Sequence, residues 1–349
     1  MNKYSLDYFE QALPVDKIRP PYRKPAADGA RLAVCAVQQG RGEETAPAVP
    51  QGSLGLLAPR LAPGGGLREA ELFLQRLGMG ASGGQGFAGV LVELGGAQGD
   101  GAATLLLAWR RAFDRAPLIA RAEDTTLIGA LRALDLPFGL LLDARGGILP
   151  VRRLLAENGL QNVWQASPVF LLAAGCPDGA KALERAMGGW HVLAADVPGA
   201  APGALLVRRV TYPQTLAAGG AFPVRLWLQN VGNTPVYGAS RFQLRLRGPG
   251  GCREIPLGLC PPRWPVGDTV YNEIAQLPGL AAGSYQLECR VLRGHGGTVP
   301  FYGAGAGADG WYPLGGAALD AAPRPELYDA WADRYPDGYY PLEDPKLPE

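Results

Sequence analysis

The sequence predicts an α/β plus all-β chain: a compact or incomplete (β/α) TIM-like barrel followed by an immunoglobulin-like antiparallel β-sandwich. Three observations lead there. Up to about residue 202, short apolar runs alternate with amphipathic helical stretches. Beyond it, apolar and polar residues alternate one by one. Turn formers are dense throughout, with 50 glycines and 32 prolines in 349 residues, so the elements are short.

The strand candidates of the first part are RLAVCAV (31–37), SLGLLAP (53–59), FAGVLVEL (87–94), PLIARA (117–122), FGLLLDA (138–144), NVWQAS (162–167) and WHVLAAD (190–196). Nearly continuous apolar runs of this kind suit parallel strands buried on both faces. The helices between them have readable ends. LREAELFLQRLG (67–78) repeats Leu67, Ala70, Leu74 and Leu77 and stops at Gly78. Residues 101–114 carry Leu105, Ala108, Trp109 and Ala112 on one face. Asp124 or Thr125 can cap a helix running to Leu134, Pro150 suits the first turn of the next helix, and Asp178 can cap 179–188. Seven strands favour a barrel over an open sheet. The span 30–205 falls below the roughly 200 residues of small barrels of this type, hence the expectation of a compact or incomplete one.

In the second part, Val224, Leu226 and Leu228 alternate with Arg225, Trp227 and Gln229. Phe242, Leu244 and Leu246 alternate with Gln243, Arg245 and Arg247, and Tyr285, Leu287, Cys289 and Val291 with Gln286, Glu288 and Arg290. Strands with one buried face read this way. The expected division is an N-terminal arm (1–29), a barrel (30–205), a sandwich (206–320) and an aromatic tail (321–349). The tail holds Tyr328, Trp331, Tyr335, Tyr339 and Tyr340, is expected to pack back on the domains, and has a short helix from Pro325 to Tyr335.

Composition excludes several functions. The chain has 33 basic and 32 acidic residues, a net charge of +1, which gives no electrostatic footprint for nucleic acid or an anionic membrane. No run reaches the roughly 18 apolar residues of a membrane span. The N-terminus lacks an apolar signal core, so the chain as given reads as cytoplasmic, or extracellular if a signal has been removed. Five cysteines without a C-x-x-C pair and only two histidines argue against a metal site, and no nucleotide or nucleophile motif calls for a cofactor.

VTYPQTLAAGGAFPVRLWLQNVGNTPVYG, LPGLAAGSYQLECRVL and GADGWYPLGG carry a specific pattern. Its elements are Asn230, Gly232, Pro235 and Tyr237, then Asp309, Gly310, Trp311, Tyr312, Leu314 and Gly315. The pattern resembles the C-terminal sandwich, catalogued only as a domain of unknown function, of a bacterial β-galactosidase-like (β/α)-barrel family. The barrel half is similar to the same family through VLVEL, FDRAPLIARAED, FGLLLDARGG and VWQASPVFLLAAG. The resemblance places Glu93 where the family has a strand-end glutamate. The Trp and Gly that precede that glutamate in the family are absent here, and the second glutamate position has become Phe170–Ala174. Coverage runs from about 85 to 319. GFAGVLVEL also looks like the GFDGVDIDWE strand of chitinase-type barrels. There, two defining aspartates fall on Ala88 and Leu91 and the terminal glutamate on Gly95.

The resemblance implies glycan chemistry on an oligo- or polysaccharide, with Glu93 and Asp143 as candidate catalytic carboxylates at strand ends. Trp164, Asp124 and Arg121 are candidate substrate-binding residues. Each has a plainer reading. Glu93 can anchor the GGAQG loop through its amides. Asp143 can pair with Arg145 or cap a turn, Asp124 can cap a helix, and Trp164, Trp190 and His191 can pack in the core. Glycoside hydrolysis needs two carboxyls, about 5–5.5 Å apart for retention and about 6.5–9.5 Å for inversion. The expected function is a degenerate glycoside hydrolase of weak or no activity that binds glycan. The alternatives are an active hydrolase using Glu93 as acid/base, or an architectural surface module.

Overall fold

A computed structural model of the chain describes residues 31–40, 46–51, 53–62, 65–81, 87–213, 215–238, 240–261, 263–277, 279–293, 298–299, 301, 309–321 and 338–342. The arm 1–29 and the helix expected from Pro325 to Tyr335 lie outside these residues. The described residues fall into two compact units that divide between Pro202 and Gly203.

In the first unit, β1 (Arg31–Gln38), β2 (Ser53–Arg60), β3 (Phe87–Leu91), β4 (Leu118–Arg121), β5 (Phe138–Asp143), β6 (Val169–Leu172) and β7 (Val192–Ala195) form a closed, all-parallel barrel in chain order. β7 returns to β1 at Arg31 and Ala195. Helices α1 (Leu67–Ala81), α2 (Gly99–Ala112), α3 (Thr125–Ala133), α4 (Ile148–Glu157) and α5 (Ala180–Gly189) follow β2 to β6 in turn.

This corrects the expected fold class. The barrel is closed rather than incomplete and has seven strands. Five helices are present among the described residues, and none of the described residues between β1 and β2 is helical, so it is not a TIM barrel with a helix after every strand. Seven strands close because the interior they enclose is small. Leu32, Leu56, Ala58, Leu91, Ile119, Leu141, Phe170 and Ala194 fill it and are all buried. Glycines admit neighbours at two tight points. A Cβ at Gly89 would stand 2.7 Å from Ile119 Cγ1, and one at Gly139 would stand 2.2 Å from the Pro168 carbonyl oxygen. The outward residues of the strands meet the apolar stripes of the helices, with Phe73, Leu74 and Leu77 of α1 and Leu105, Leu106 and Trp109 of α2 buried there.

Two local expectations change as well. Residues 162–167 are not a strand. Val163–Gln165 form a single 3-10 turn, and the strand begins after Pro168, whose carbonyl accepts the Leu140 amide. Asp178 does not cap its own helix, which starts at Ala180 behind Gly179 without a side-chain cap. Its carboxylate instead accepts the Ile148 amide at 2.7 Å and so caps α4 from another loop.

The second unit has two sheets. One holds β8 (Leu205–Thr211), β10 (Ala221–Asn230), β13 (Gly267–Gln276) and β16 (Gly338–Leu342). The other holds β9 (Thr215–Ala217), β11 (Ser240–Gly248), β12 (Gly251–Pro256), β14 (Gly283–Arg293) and β15 (Tyr312–Asp320). The alternating faces pack as the period demands: Val224, Leu226, Leu228, Phe242, Leu244, Leu246, Leu287, Cys289 and Val291 are fully buried. The immunoglobulin-like, wholly antiparallel expectation is corrected, because β9 joins β15 in parallel.

The motif residues prove structural. Asn230 is buried, donates to the Thr234 carbonyl at 2.9 Å, and accepts the amides of Gly232 and Ala204. It thereby closes the turn after β10. Trp311 is buried between two guanidiniums, with the Arg245 and Arg290 carbons each 4.3 Å from its ring centroid. Arg245 in turn bonds the buried Glu288 and, at 2.6 Å, Asp309, whose carboxyl it holds below the usual range. This stack fixes the entry to β15.

Removing Arg245 leaves the buried Glu288 with one cation instead of two, the largely exposed Arg247 at 2.8 Å. Arg245→Ala is expected to destabilise the sandwich by about 1.5–3 kcal/mol in urea unfolding, and a loss under about 1 kcal/mol would show that the stack is not a structural unit. In the barrel, Gly139→Ala drives a methyl into the Pro168 carbonyl and is expected to cost about 1–3 kcal/mol. Gly129→Ala, within α3 with nothing near its Cβ, is expected to raise stability by roughly 0.5–1 kcal/mol. Thermal melts of the two variants should move in opposite directions.

Candidate functional site: the C-terminal rim of the barrel

Side chains along a strand alternate between its two faces. The residue two past the last interior side chain therefore points to the barrel mouth. On β2 the interior residues Leu56 and Ala58 lead to Arg60. Leu91 leads to Glu93, Ile119 to Arg121, Leu141 to Asp143, Phe170 to Leu172 and Ala194 to Asp196. Five of these six rim positions are charged, and they crown an apolar plug.

Each rim acid already has a partner. The Glu93 carboxylate accepts a hydrogen bond from Arg60 in an ion pair across β2 and β3. Its backbone is held from outside, because the indole of the buried Trp109 donates to the Glu93 carbonyl at 3.2 Å. The loop that follows serves itself: the Ala97 amide goes to the Leu94 carbonyl, and Gly95 and Gly96 turn the chain at positive φ. So Glu93 is anchored by an arginine, not by the loop amides. Asp143 is gripped by its own loop. Arg145 donates from its backbone amide at 3.1 Å and from its guanidinium, with Nε at 2.9 and 3.1 Å from the two carboxylate oxygens. These guanidinium hydrogen bonds hold the Asp143 carboxyl below its usual range, and the charge of Arg121 on the neighbouring strand adds to the shift. Asp196 accepts the amides of Ala173 at 2.7 Å and Ala174 at 3.2 Å and ties the end of β6 to β7.

Glu93 and Asp143 stand on strands separated by β4, about 9–10 Å between backbones at two strand spacings. Arg121 of β4 rises between them and pairs loosely with Glu123 at 3.8 Å. Asp124 is a helix cap, its carboxylate accepting the Leu127 amide at 2.9 Å. Trp164 does not join the group. It precedes β6, at the N-terminal end of the barrel, and stacks on His191 with centroids 3.5 Å apart and planes at 19°. Of the five candidates, the rim brings Glu93, Arg121 and Asp143 together, sets Asp124 beside them as a cap, and leaves Trp164 at the other end.

Sequence reasoning overlooked Arg60 and Asp196. Both carry the signal that marked Glu93, a lone charge ending an apolar strand. Among the described residues no group of three or more metal-ligating side chains occurs, and no helix is long and apolar enough to cross a membrane.

No family model and no curated protein matches the chain. Over most of its length it has a weak structural likeness to a β-glucosidase from Listeria innocua, solved with isofagomine. Identity is 10%, 84% of this chain and 47% of that chain are covered, and the TM-score is 0.25. The chain thus spans about half the length of that enzyme. A CARDB domain from Pyrococcus furiosus matches 32% of this chain over 92% of its own, at 11% identity and a TM-score of 0.22. A cohesin module of a family 33 glycoside hydrolase from Clostridium perfringens matches 34% over 98%, at 11% identity and a TM-score of 0.19.

The Asp143–Arg145 pair gives a signed prediction. A carboxyl whose folded value is depressed adds stability above its unfolded value, about 3.9, and that stability is lost as pH falls through the folded value. Carbon-13 titration of Asp143 is expected to show a midpoint below about 3.9 that moves up toward it in Arg145→Ala. Arg145 is largely exposed, so its removal should cost little stability at neutral pH. An Asp143 midpoint unmoved by Arg145→Ala would remove the pair as the cause.

Proposed function

We propose that this chain is a degenerate glycoside-hydrolase-type protein that binds glycan at the charged rim and does not turn it over. The observation that carries this reading is the state of the two candidate acids. Glu93 is held by Arg60, and Asp143 is chelated by Arg145. A glycosidase needs one carboxyl to deliver a proton and a second to meet the oxocarbenium-like centre. Here the rim position of β6, where the resemblance leads to a second glutamate, is Leu172. Losing one group that stabilises transition-state charge costs about 2.7–4 kcal/mol, or 10²–10³ in rate.

Binding is a different demand. A sugar hydroxyl both donates and accepts, so a rim that alternates guanidinium donors with carboxylate acceptors can match several hydroxyls at once. Arg121, with its loose partner, is the residue most available for this.

The architectural reading has one observation in its favour. Among the described residues outside β16, no phenylalanine, tyrosine or tryptophan is exposed to offer a sugar-stacking platform.

A panel of aryl α- and β-glycosides is expected to give no turnover with either the wild type or Glu93→Gln. Turnover by wild type that disappears in Glu93→Gln would restore the enzyme. Calorimetric titration with oligosaccharides should show binding that weakens at least tenfold in Arg121→Ala. A folded protein that binds none of them is the outcome the architectural reading requires.

A further inference from the structure

A cavity of about 310 Å³ lies on the outer side of the rim, between the ends of β1–β3 and the starts of α1 and α2. Its walls are aliphatic: Leu61, Leu67, Leu94 and Leu105 face it with alanines and glycines between them. Leu67 is 41% exposed, although Leu74 and Leu77 of the same helix are fully buried. We propose that this cavity is a binding site for a small neutral aliphatic ligand, such as a short-chain alcohol or ester, separate from the charged rim.

Three features define that class. First, among the described residues no charged side chain lines the cavity, and the one polar side chain, Gln39, already spends its carbonyl on the Ala62 amide at 3.0 Å. Side chains that are nearly all aliphatic favour apolar contact, and the backbone of the glycine-rich loops leaves amides and carbonyls for a single hydroxyl or ester group. Second, two helices begin here, and helix starts favour anions. Each first turn carries its own acid, Glu69 in α1 and Asp100 in α2, which offsets that field and repels a second negative charge. Third, the volume is about twice the ~150 Å³ of an engineered apolar cavity that takes up benzene. A chain of several carbons fits where a single ring would rattle.

Gly101 supplies a blocking variant. It lies within α2, and a Cβ there would meet only Leu67 Cδ1, at 3.7 Å, an ordinary contact. A larger side chain can therefore grow into the cavity without straining the backbone.

The test is a methyl-labelled spectrum of the full chain titrated with hexanol, hexanoate and methyl β-glucoside. Hexanol is expected to give saturable shifts in the methyls of Leu61, Leu67, Leu94 and Leu105, with hexanoate and the glucoside binding at least tenfold more weakly. Gly101→Leu should weaken hexanol at least tenfold while its melting temperature stays level or rises. Absence of saturable shifts in the wild type, shifts centred elsewhere, hexanoate binding as well as hexanol, or unchanged affinity in a folded Gly101→Leu would each overturn the proposal. Glycan binding that depends on Arg121 is untouched by any of these outcomes, so the two sites fail or stand separately.

Discussion

Closure of seven short parallel strands around a small apolar interior is the constraint on which the rest of the barrel depends. The interior admits few side chains, so the strands run only four to eight residues before the chain reaches the rim. Glycines stand where neighbouring groups come too close for a Cβ. The pleat then does the rest. With interior positions set by packing, the residue two places further on emerges at the mouth whatever its chemistry. Arg60, Glu93, Arg121, Asp143 and Asp196 share a rim because Ala58, Leu91, Ile119, Leu141 and Ala194 share a core.

A charge delivered to the edge of an apolar plug is partly cut off from water, and an unpaired one is costly there. Each acid of the rim answers this differently. Glu93 takes an arginine from the next strand, Asp143 takes one from its own loop, and Asp196 takes two backbone amides. These partners stabilise the rim. The lone strand-end glutamate that suggests a catalytic residue is also one half of an ion pair that joins the ends of β2 and β3.

The sandwich solves a similar problem with a stack. Its five-stranded sheet carries a charged outer ladder of Arg245, Arg247, Glu288 and Arg290, and Trp311 lies between two of its guanidiniums. The long motif around Asp309–Gly315 is thereby accounted for by cation–π and ion-pair contacts that hold the start of β15. Such specificity of sequence reflects a fold requirement, and the Asn230 turn is another instance of it.

By itself the sequence determined the periods. It marked where strands with two buried faces give way to strands with one, which residues of β10, β11 and β14 face inward, and where α1 and α3 begin, because hydrophobic spacing and caps are local properties of a chain; α1 nevertheless runs on through Gly78 to Ala81, and α2 spans Gly99–Ala112 rather than 101–114. It also showed Glu93 and Asp143 as charges ending apolar strands. Only the tertiary structure decided the number and closure of the strands, the parallel joining of β9 to β15, and the move of a strand from 162–167 to Val169–Leu172. It alone chose partners: Arg60 for Glu93 from 33 residues away, Asp178 for the helix that begins 30 residues before it, and Trp164 for the far end of the barrel. The physical reason is that pattern is read along the chain, whereas partnership depends on which strands lie side by side, and that is set only when the whole interior packs.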